Sequence, residues 1–357
     1  MRIVFFIQDI TTQGGTERTT CCLADEMVRN GQEVQIVSVF RTQGRVQYPL
    51  SESVQMSYLC FDEYNGKMPM TKRLHITVRQ VRKVKHCLAL QEADVIISQK
   101  FLASLLLFRA GLSGKSVACE HFRYGMYSSA IRYLRNRVYR HFRCLVVLTE
   151  TDRQQFLRHG VQQVKVIENM VSIRPNTWQG QNVHRALAVG RLTKQKGFDL
   201  LLSAVASVQE QLGDWKIDIY GDGPEQQMLL QQRDALKLQQ RVHFHPFTQD
   251  IEQVYATHAF YIMSSRFEGF PMVLLEAAAA GLPIVSFDCK EGPSVLLQNG
   301  GGILVPFADV KQLGKAIARV ANYDSLRDTL HQQTRNIVVN YTPETIYTKW
   351  MNVLHGK

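Results

Sequence analysis

Short runs of uninterrupted apolar residues, each followed by a stretch of helical spacing, dominate this chain, and the pattern starts twice. Residues 2–7 read as a buried strand. Residues 16–30 then carry Leu23, Met27 and Val28 on one side of a helix that Gly31 stops. Residues 33–40, 94–98, 116–119 and 145–148 are further strand-like runs rich in Val and Ile, with helical patterns between them. The alternation restarts at residue 185. Strands are expected at 185–189, 215–220, 241–244, 259–263 and 284–287, and helices at 197–212, 226–238, 272–280 and 310–321. Continuous apolar strands alternating with helices require a parallel sheet covered on both faces. The expected fold class is therefore α/β, with two doubly wound halves. Residues 172–182, with Pro175, Asn176 and Gly180, read as the linker. A length of 357 residues suits two domains.

Composition excludes several alternatives. Hydrophobic residues make up 45% and charged residues 20%, which is incompatible with intrinsic disorder. No stretch approaches the ~20 consecutive apolar residues of a spanning helix, and the first apolar run breaks at Gln8. The seven cysteines are scattered without a CxxC pair, so reduced thiols in a cytoplasmic protein are expected, with no zinc site.

Charge divides the chain unevenly. Residues 1–175 hold 25 Lys and Arg against 14 Asp and Glu, whereas residues 176–357 hold 17 of each. The whole excess of +11 thus lies in the first half. One basic segment carries Lys72, Arg73, Arg79, Arg82, Lys83 and Lys85. A second interleaves Arg123, Arg132, Arg135, Arg137, Arg140 and Arg143 with Tyr124, Tyr127, Tyr133, Tyr139 and Phe142. Either is compatible with a solvated face. Together they point to an anionic surface, nucleic acid or a membrane leaflet. No nucleic-acid-binding signature accompanies them.

Five loops could carry chemistry. Gly14 and Gly15 follow the first strand and open a helix, either as a plain turn or as an anion cradle. Arg191 and Lys196 flank the loop VGRLTKQKG after residues 185–189, two cations placed for a diphosphate. The GDGP turn at residues 221–224 reads as a tight turn and, at most, a wall of a cleft. In SSRFEGFPMVLLEAAAAGL, Glu268 and Glu276 lie near a helix start, where they either stabilise the dipole or accept hydroxyls of sugars. His121 ends a first-half strand beside Glu120 and is either structural or a substrate contact.

These residues resemble glycosyltransferase family 4, which has the GT-B fold, over essentially the whole chain. The family's Glu-x7-Glu motif is matched by Glu268 to Glu276, and the VGRL-x3-KG loop, the GDGP turn and the N-terminal GG loop agree in order and spacing. The resemblance implies two Rossmann-like domains facing across a cleft: residues 1–172 for the acceptor, 183–340 for the donor, and 341–357 as a helix returning to the first domain. It implies retaining transfer from a nucleotide diphosphate sugar, a UDP-sugar by default, without metal or other cofactor. The absence of an Asp-x-Asp sequence agrees.

Carried over by position, Gly14 and Gly15 approach the diphosphate, and Arg191 and Lys196 hold it. Glu268 meets the donor sugar and Glu276 the ribose. Gly269, Phe270 and Pro271 cap the phosphates, and Pro246 and Phe247 border the base. His121 lies near the reacting sugar, and Asn169 matches an asparagine that follows the last strand of the first domain. The segment GLPIVSFDCKEGPS resembles enzymes of capsule, O-antigen or exopolysaccharide assembly. The partners implied are a nucleotide-sugar donor, a lipid-linked saccharide acceptor and an anionic membrane touched peripherally through Arg132, Arg135 and Arg140. A non-hydrolysing nucleotide-sugar epimerase on the same fold is the alternative, and a basic nucleic-acid-binding protein is a third reading.

Overall fold

β-Branched and aromatic side chains form the first strand, β1 (Arg2–Ile7), and their neighbours on both faces explain why the run is apolar throughout. Val4 and Phe6 belong to one apolar core, and Ile3, Phe5 and Ile7 to another on the opposite face. The computed structural model describes residues 1–60, 75, 78–171, 173, 178, 183–289 and 292–356. The chain divides into two units. Unit 1 comprises Met1–Met170 with Pro343–Lys357, and unit 2 comprises Val171–Thr342.

In unit 1, β1 is followed by α1 (Gly15–Arg29), β2 (Glu33–Ser38), β3 (Gln55–Tyr58), β4 (Val95–Gln99), α2 (Lys100–Arg109), β5 (Ser116–Cys119), α3 (Ser129–Tyr139), β6 (Cys144–Val147), α4 (Glu150–Arg158) and β7 (Val164–Val166). The seven strands are parallel, in the order β3-β2-β1-β4-β5-β6-β7. Leu102, Leu106, Val138 and Phe156 cover one face of the sheet. Leu23 and Met27 of α1 cover the other, together with Ile346, Trp350, Val353 and Leu354 of a helix from the far end of the chain, Pro343–Leu354.

Unit 2 repeats the design with β8 (Arg185–Val189), α5 (Phe198–Ser207), β9 (Lys216–Tyr220), α6 (Gln226–Ala235), β10 (Val242–His245), β11 (Phe260–Met263), α7 (Met272–Ala279), β12 (Ile284–Asp288), β13 (Gly302–Pro306), α8 (Val310–Asn322) and α9 (Asp324–Val338). The helix after it, Pro343–Leu354, is α10 and belongs to unit 1. Six parallel strands run β10-β9-β8-β11-β12-β13. Leu201, Leu202, Leu313 and Ile317 pack on one face, and Leu274, Leu275, Ile337 and Val338 on the other. The run Ala277, Ala278, Ala279 and Ala280 is buried, its short side chains keeping α7 close to its neighbours.

The strand order of both sheets reverses next to the first strand, between β1 and β4 and between β8 and β11. In such sheets ligands bind beyond the carboxyl ends of the strands at this switch point. Strands β3, β7 and β13 and helix α9 add to the elements expected from sequence. The expected helix at 197–212 is α5 followed by a separate 3-10 turn, Gln209–Leu212. Lys72, Arg73, Lys290, Glu291 and most of the linker lie outside the described residues.

Candidate active site

At the switch point of unit 2 the loop after β8 is held against the loop after β11. Gly197 adopts φ +65°, and a Cβ there would lie 2.1 Å from the carbonyl oxygen of Ser264. Only glycine permits that approach. Ser264 Oγ in turn donates to the Lys196 carbonyl at 3.0 Å. A fork from Arg266 to both oxygens of Asp199, at 2.7 Å each, and a bond to the Lys194 carbonyl at 2.8 Å complete the joint. The Arg266 hydrogen bonds hold the Asp199 carboxyl below its usual range.

This joint aligns the two residues singled out for the diphosphate and the donor sugar. Lys196 Nζ donates to Glu268 Oε1 at 2.8 Å, and Ser265 Oγ donates to the same oxygen at 2.5 Å. Glu268 is buried and Lys196 is half-buried. Arg191, on the same loop as Lys196, is exposed and makes no ion pair with the described residues. Gly269 and Phe270 are half-buried, and Pro271 immediately precedes α7. Glu276 lies in the second turn of α7. It is 2% exposed, and Tyr255 Oη donates to its Oε2 at 3.0 Å.

The GDGP turn does more than reverse the chain. Leu192 N–H donates to the Asp222 carbonyl at 2.9 Å, and Phe247 N–H to the Asp222 carboxylate at 3.0 Å. Gly221, at φ +141°, leaves 2.2 Å between a virtual Cβ and the Gly190 carbonyl oxygen. The turn therefore ties the Arg191 loop to Pro246 and Phe247. Behind it, His245 stacks on Tyr220 with ring centroids 4.4 Å apart and bonds the buried Asp218 at 2.7 Å. Asp218 also accepts from Arg185 at 2.7 Å and pairs with His258 at 3.2 Å. These hydrogen bonds outweigh burial and hold its carboxyl well below the usual range.

In unit 1, Gly14 and Gly15 lie between β1 and α1, at that sheet's switch point. A Cβ on Gly14 would stand 2.3 Å from Glu17 Oε2. Gly14 thus makes room for a buried carboxylate, which pairs with Lys100 Nζ at 2.9 Å. His121, just beyond β5, has Nε2 2.5 Å from Gln99 Oε1. Burial, with the charge of Lys100, pushes its pKa down to about 3. A cavity brings His121 and Asn169 together with Gln99, Thr20, Glu168 and Trp350.

One expected surface residue is placed differently. Arg135 is fully buried. Its Nη1 lies 3.3 Å from Glu120 Oε2, and its Nη2 donates to the Tyr124 carbonyl at 2.9 Å. The guanidinium lies over the rings of Phe156, Tyr124 and Tyr127 at 4.7–5.0 Å. Arg135 therefore has no part in a membrane or acceptor face: its aromatic neighbours are a cation–π enclosure inside the unit. Tyr124, Tyr139 and Phe142 are likewise core residues. Arg140 is exposed and bonds the His159 carbonyl, and Arg132 is half-buried beside Ser129.

Two doubly wound units thus each place charged side chains at a switch point, where ligands bind in such sheets. A family model described as Glycosyltransferase Family 4 matches residues 13–174, and one described as Glycosyl transferases group 1 matches residues 176–337. The chain belongs to this glycosyltransferase family. It is 25% identical to an uncharacterized glycosyltransferase of Haemophilus influenzae and 27% identical to the amylovoran biosynthesis glycosyltransferase AmsD of Erwinia amylovora, with 99% of both chains covered in each case. Its fold matches S. aureus TarM in complex with fondaparinux, α-GlcNAc-glycerol and UDP, with a TM-score of 0.80 and 14% identity over 99% of this chain and 100% of that one.

Proposed function

We propose that the protein transfers a sugar from a UDP-sugar to a lipid-linked or growing saccharide acceptor, with retention and without a metal ion, in the assembly of a bacterial surface polysaccharide. The observation that carries this reading is the Lys196–Glu268 pair at the switch point of unit 2, with the buried Glu276 in the second turn of α7. UDP is among the three ligands bound in the TarM structure, and AmsD is named for amylovoran biosynthesis.

The chemistry follows from these groups. The leaving group is a nucleoside diphosphate, so catalysis consists largely of stabilising its growing negative charge. Lys196 has three ammonium protons and gives one to Glu268, leaving donors for phosphate oxygens. Arg191 supplies a second cation, and the start of α7 behind Gly269, Phe270 and Pro271 supplies backbone N–H groups. Glu276 accepts ribose hydroxyls, Glu268 accepts hydroxyls of the transferred sugar, and Phe247 borders the base. His121 and Asn169 serve the reacting sugar and the acceptor. The departing phosphate takes the acceptor proton on the face it leaves, which retains the anomeric configuration.

The epimerase alternative needs further acid–base groups in unit 1. Glu120 cannot serve, because Arg135 and Tyr139 hold it inside the core. No helix among the described residues is long and apolar enough to cross a membrane. The exposed Arg137, Arg140 and Arg143 with Tyr133 support peripheral attachment to an anionic leaflet on the cytoplasmic side.

A thermal-shift panel of UDP-, GDP- and ADP-sugars tests the donor. A ligand at ~100 times its dissociation constant adds ~2.7 kcal/mol. Stabilisation by UDP-sugars is expected, and selective stabilisation by another nucleotide overturns the choice of UDP.

A further inference from the structure

We propose that Gln99 is a positioning residue that holds the His121 ring as its Nε2–H tautomer, leaving Nδ1 as a hydrogen-bond acceptor for a hydroxyl of the bound sugar. The proposal rests on the reading of His121 as a sugar contact and adds how that contact is made.

The geometry begins in the sheet. Strands β4 and β5 are neighbours, and Gln99 lies opposite Cys119 in the register. His121 follows two residues later, so its ring faces the end of β4. There Nε2 lies 2.5 Å from Gln99 Oε1. An amide oxygen only accepts, so the ring nitrogen facing it carries the proton. A neutral imidazole has one N–H, and Nδ1 therefore keeps its lone pair.

The backbone at the next residue is arranged for the same end. Lys100 adopts φ +69°, a left-handed conformation that non-glycine residues rarely hold. This turn lets two consecutive residues grip two others. Gln99 holds His121, while the Lys100 ammonium lies 5.6 Å from the centroid of the Phe122 ring and pairs with Glu17 at 2.9 Å.

The charged groups around the ring agree with a neutral imidazole. Lys100 opposes a second proton, and its partner Glu17 comes from α1. Glu168, lining the same cavity after β7, is paired with Lys349 of α10 at 2.7 Å. Glu120, on the ring's own segment, faces Arg135 instead. A neutral acceptor also suits the reaction, since an imidazolium would oppose positive charge developing on the sugar ring.

Long-range proton–nitrogen spectra of the full chain, labelled with 15N-histidine, test this directly, with His121→Gln assigning the signal. The expected result is an Nε2–H ring that stays neutral from pH 8 to pH 5. Gln99→Leu should release the tautomer and lower kcat about tenfold, roughly the worth of one hydrogen bond, with the donor KM little changed. Gln99→Glu should bring protonation of His121 into the measured range and make kcat pH-dependent there. An Nδ1–H ring, a charged ring at pH 6, or a tautomer unchanged in Gln99→Leu overturns the proposal. Full transferase activity in His121→Gln would separately overturn the sugar-contact reading, whatever the tautomer.

Discussion

Lys196 and Glu268 are 72 residues apart in sequence and 2.8 Å apart across the two loops that meet at the switch point of unit 2. Glu268 Oε1 takes a second bond from Ser265, so the carboxylate is fixed from two sides. On the function proposed above, a lysine held this way meets the leaving phosphate in one position. Lys196→Ala should lower kcat by ~10²–10³, the scale of one lost charge-stabilising donor. Turnover measured at saturating donor checks it. Unchanged turnover removes Lys196 from the leaving-group site.

Glu276 gives a cleaner test of nucleotide binding, because Glu276→Gln preserves shape and still offers an oxygen to Tyr255. Loss of the charged acceptor should weaken UDP by ~1.5–3 kcal/mol. Isothermal titration should show a Kd roughly 10–150-fold higher. Equal affinity would place the ribose elsewhere.

On the proposed mechanism, in which Arg191, Lys196 and helix-start N–H groups supply the charge that a metal otherwise brings, activity should persist in EDTA. Loss with chelator, restored by Mn2+ or Mg2+, contradicts this.

Arg135→Ala should act on stability rather than on membrane attachment. Removing one partner of a buried ion pair costs ~3–5 kcal/mol. The exposed Arg137→Ala should change stability by less than ~0.5 kcal/mol. Urea unfolding separates the two. In flotation with phosphatidylglycerol vesicles, changing Arg137, Arg140 and Arg143 to Glu should weaken capture, as should high salt.

His121 makes stability depend on pH. Its folded pKa of about 3 lies below the ~6.5 of an unfolded chain. The unfolded state therefore takes a proton that the folded state refuses. This contribution is whole above pH ~6.5 and declines as pH falls, by at most ~1.4 kcal/mol per pH unit. The Tm of the wild type should fall more between pH 7 and pH 5 than that of His121→Gln. Equal losses would show that the imidazole charges freely in the folded protein.

How far the sequence could be read depended on where the restraint lies. The runs at Val4–Phe6 and Leu187 are buried on both faces and stand out as apolar. Strand β3, at the sheet edge with half-buried Met56, Ser57 and Tyr58, has no such run and gave no signal. Glu268, Glu276 and Lys196 were legible because their spacings form motifs. The Arg266–Asp199 fork and the Gln99–His121 bond join residues 67 and 22 positions apart, and no local pattern announces them. Arg135 was misplaced because alternating arginines and tyrosines look alike whether the rings face a leaflet or enclose a guanidinium. What decides between them is Glu120, a buried countercharge 15 residues upstream.

The return of α10 to unit 1 sets an order of assembly. Unit 2 is made from one continuous stretch, whereas unit 1 needs Ile346 and Trp350 to cover its sheet. On a translating ribosome, at ~5–20 residues per second, roughly 10–30 s of synthesis separate the two parts of unit 1. Throughout that interval the α10 side of the first sheet waits uncovered. A message cut short before Pro343 would thus yield all of unit 2 joined to a half-dressed partner, prone to aggregate through the apolar side chains that α10 was to hide.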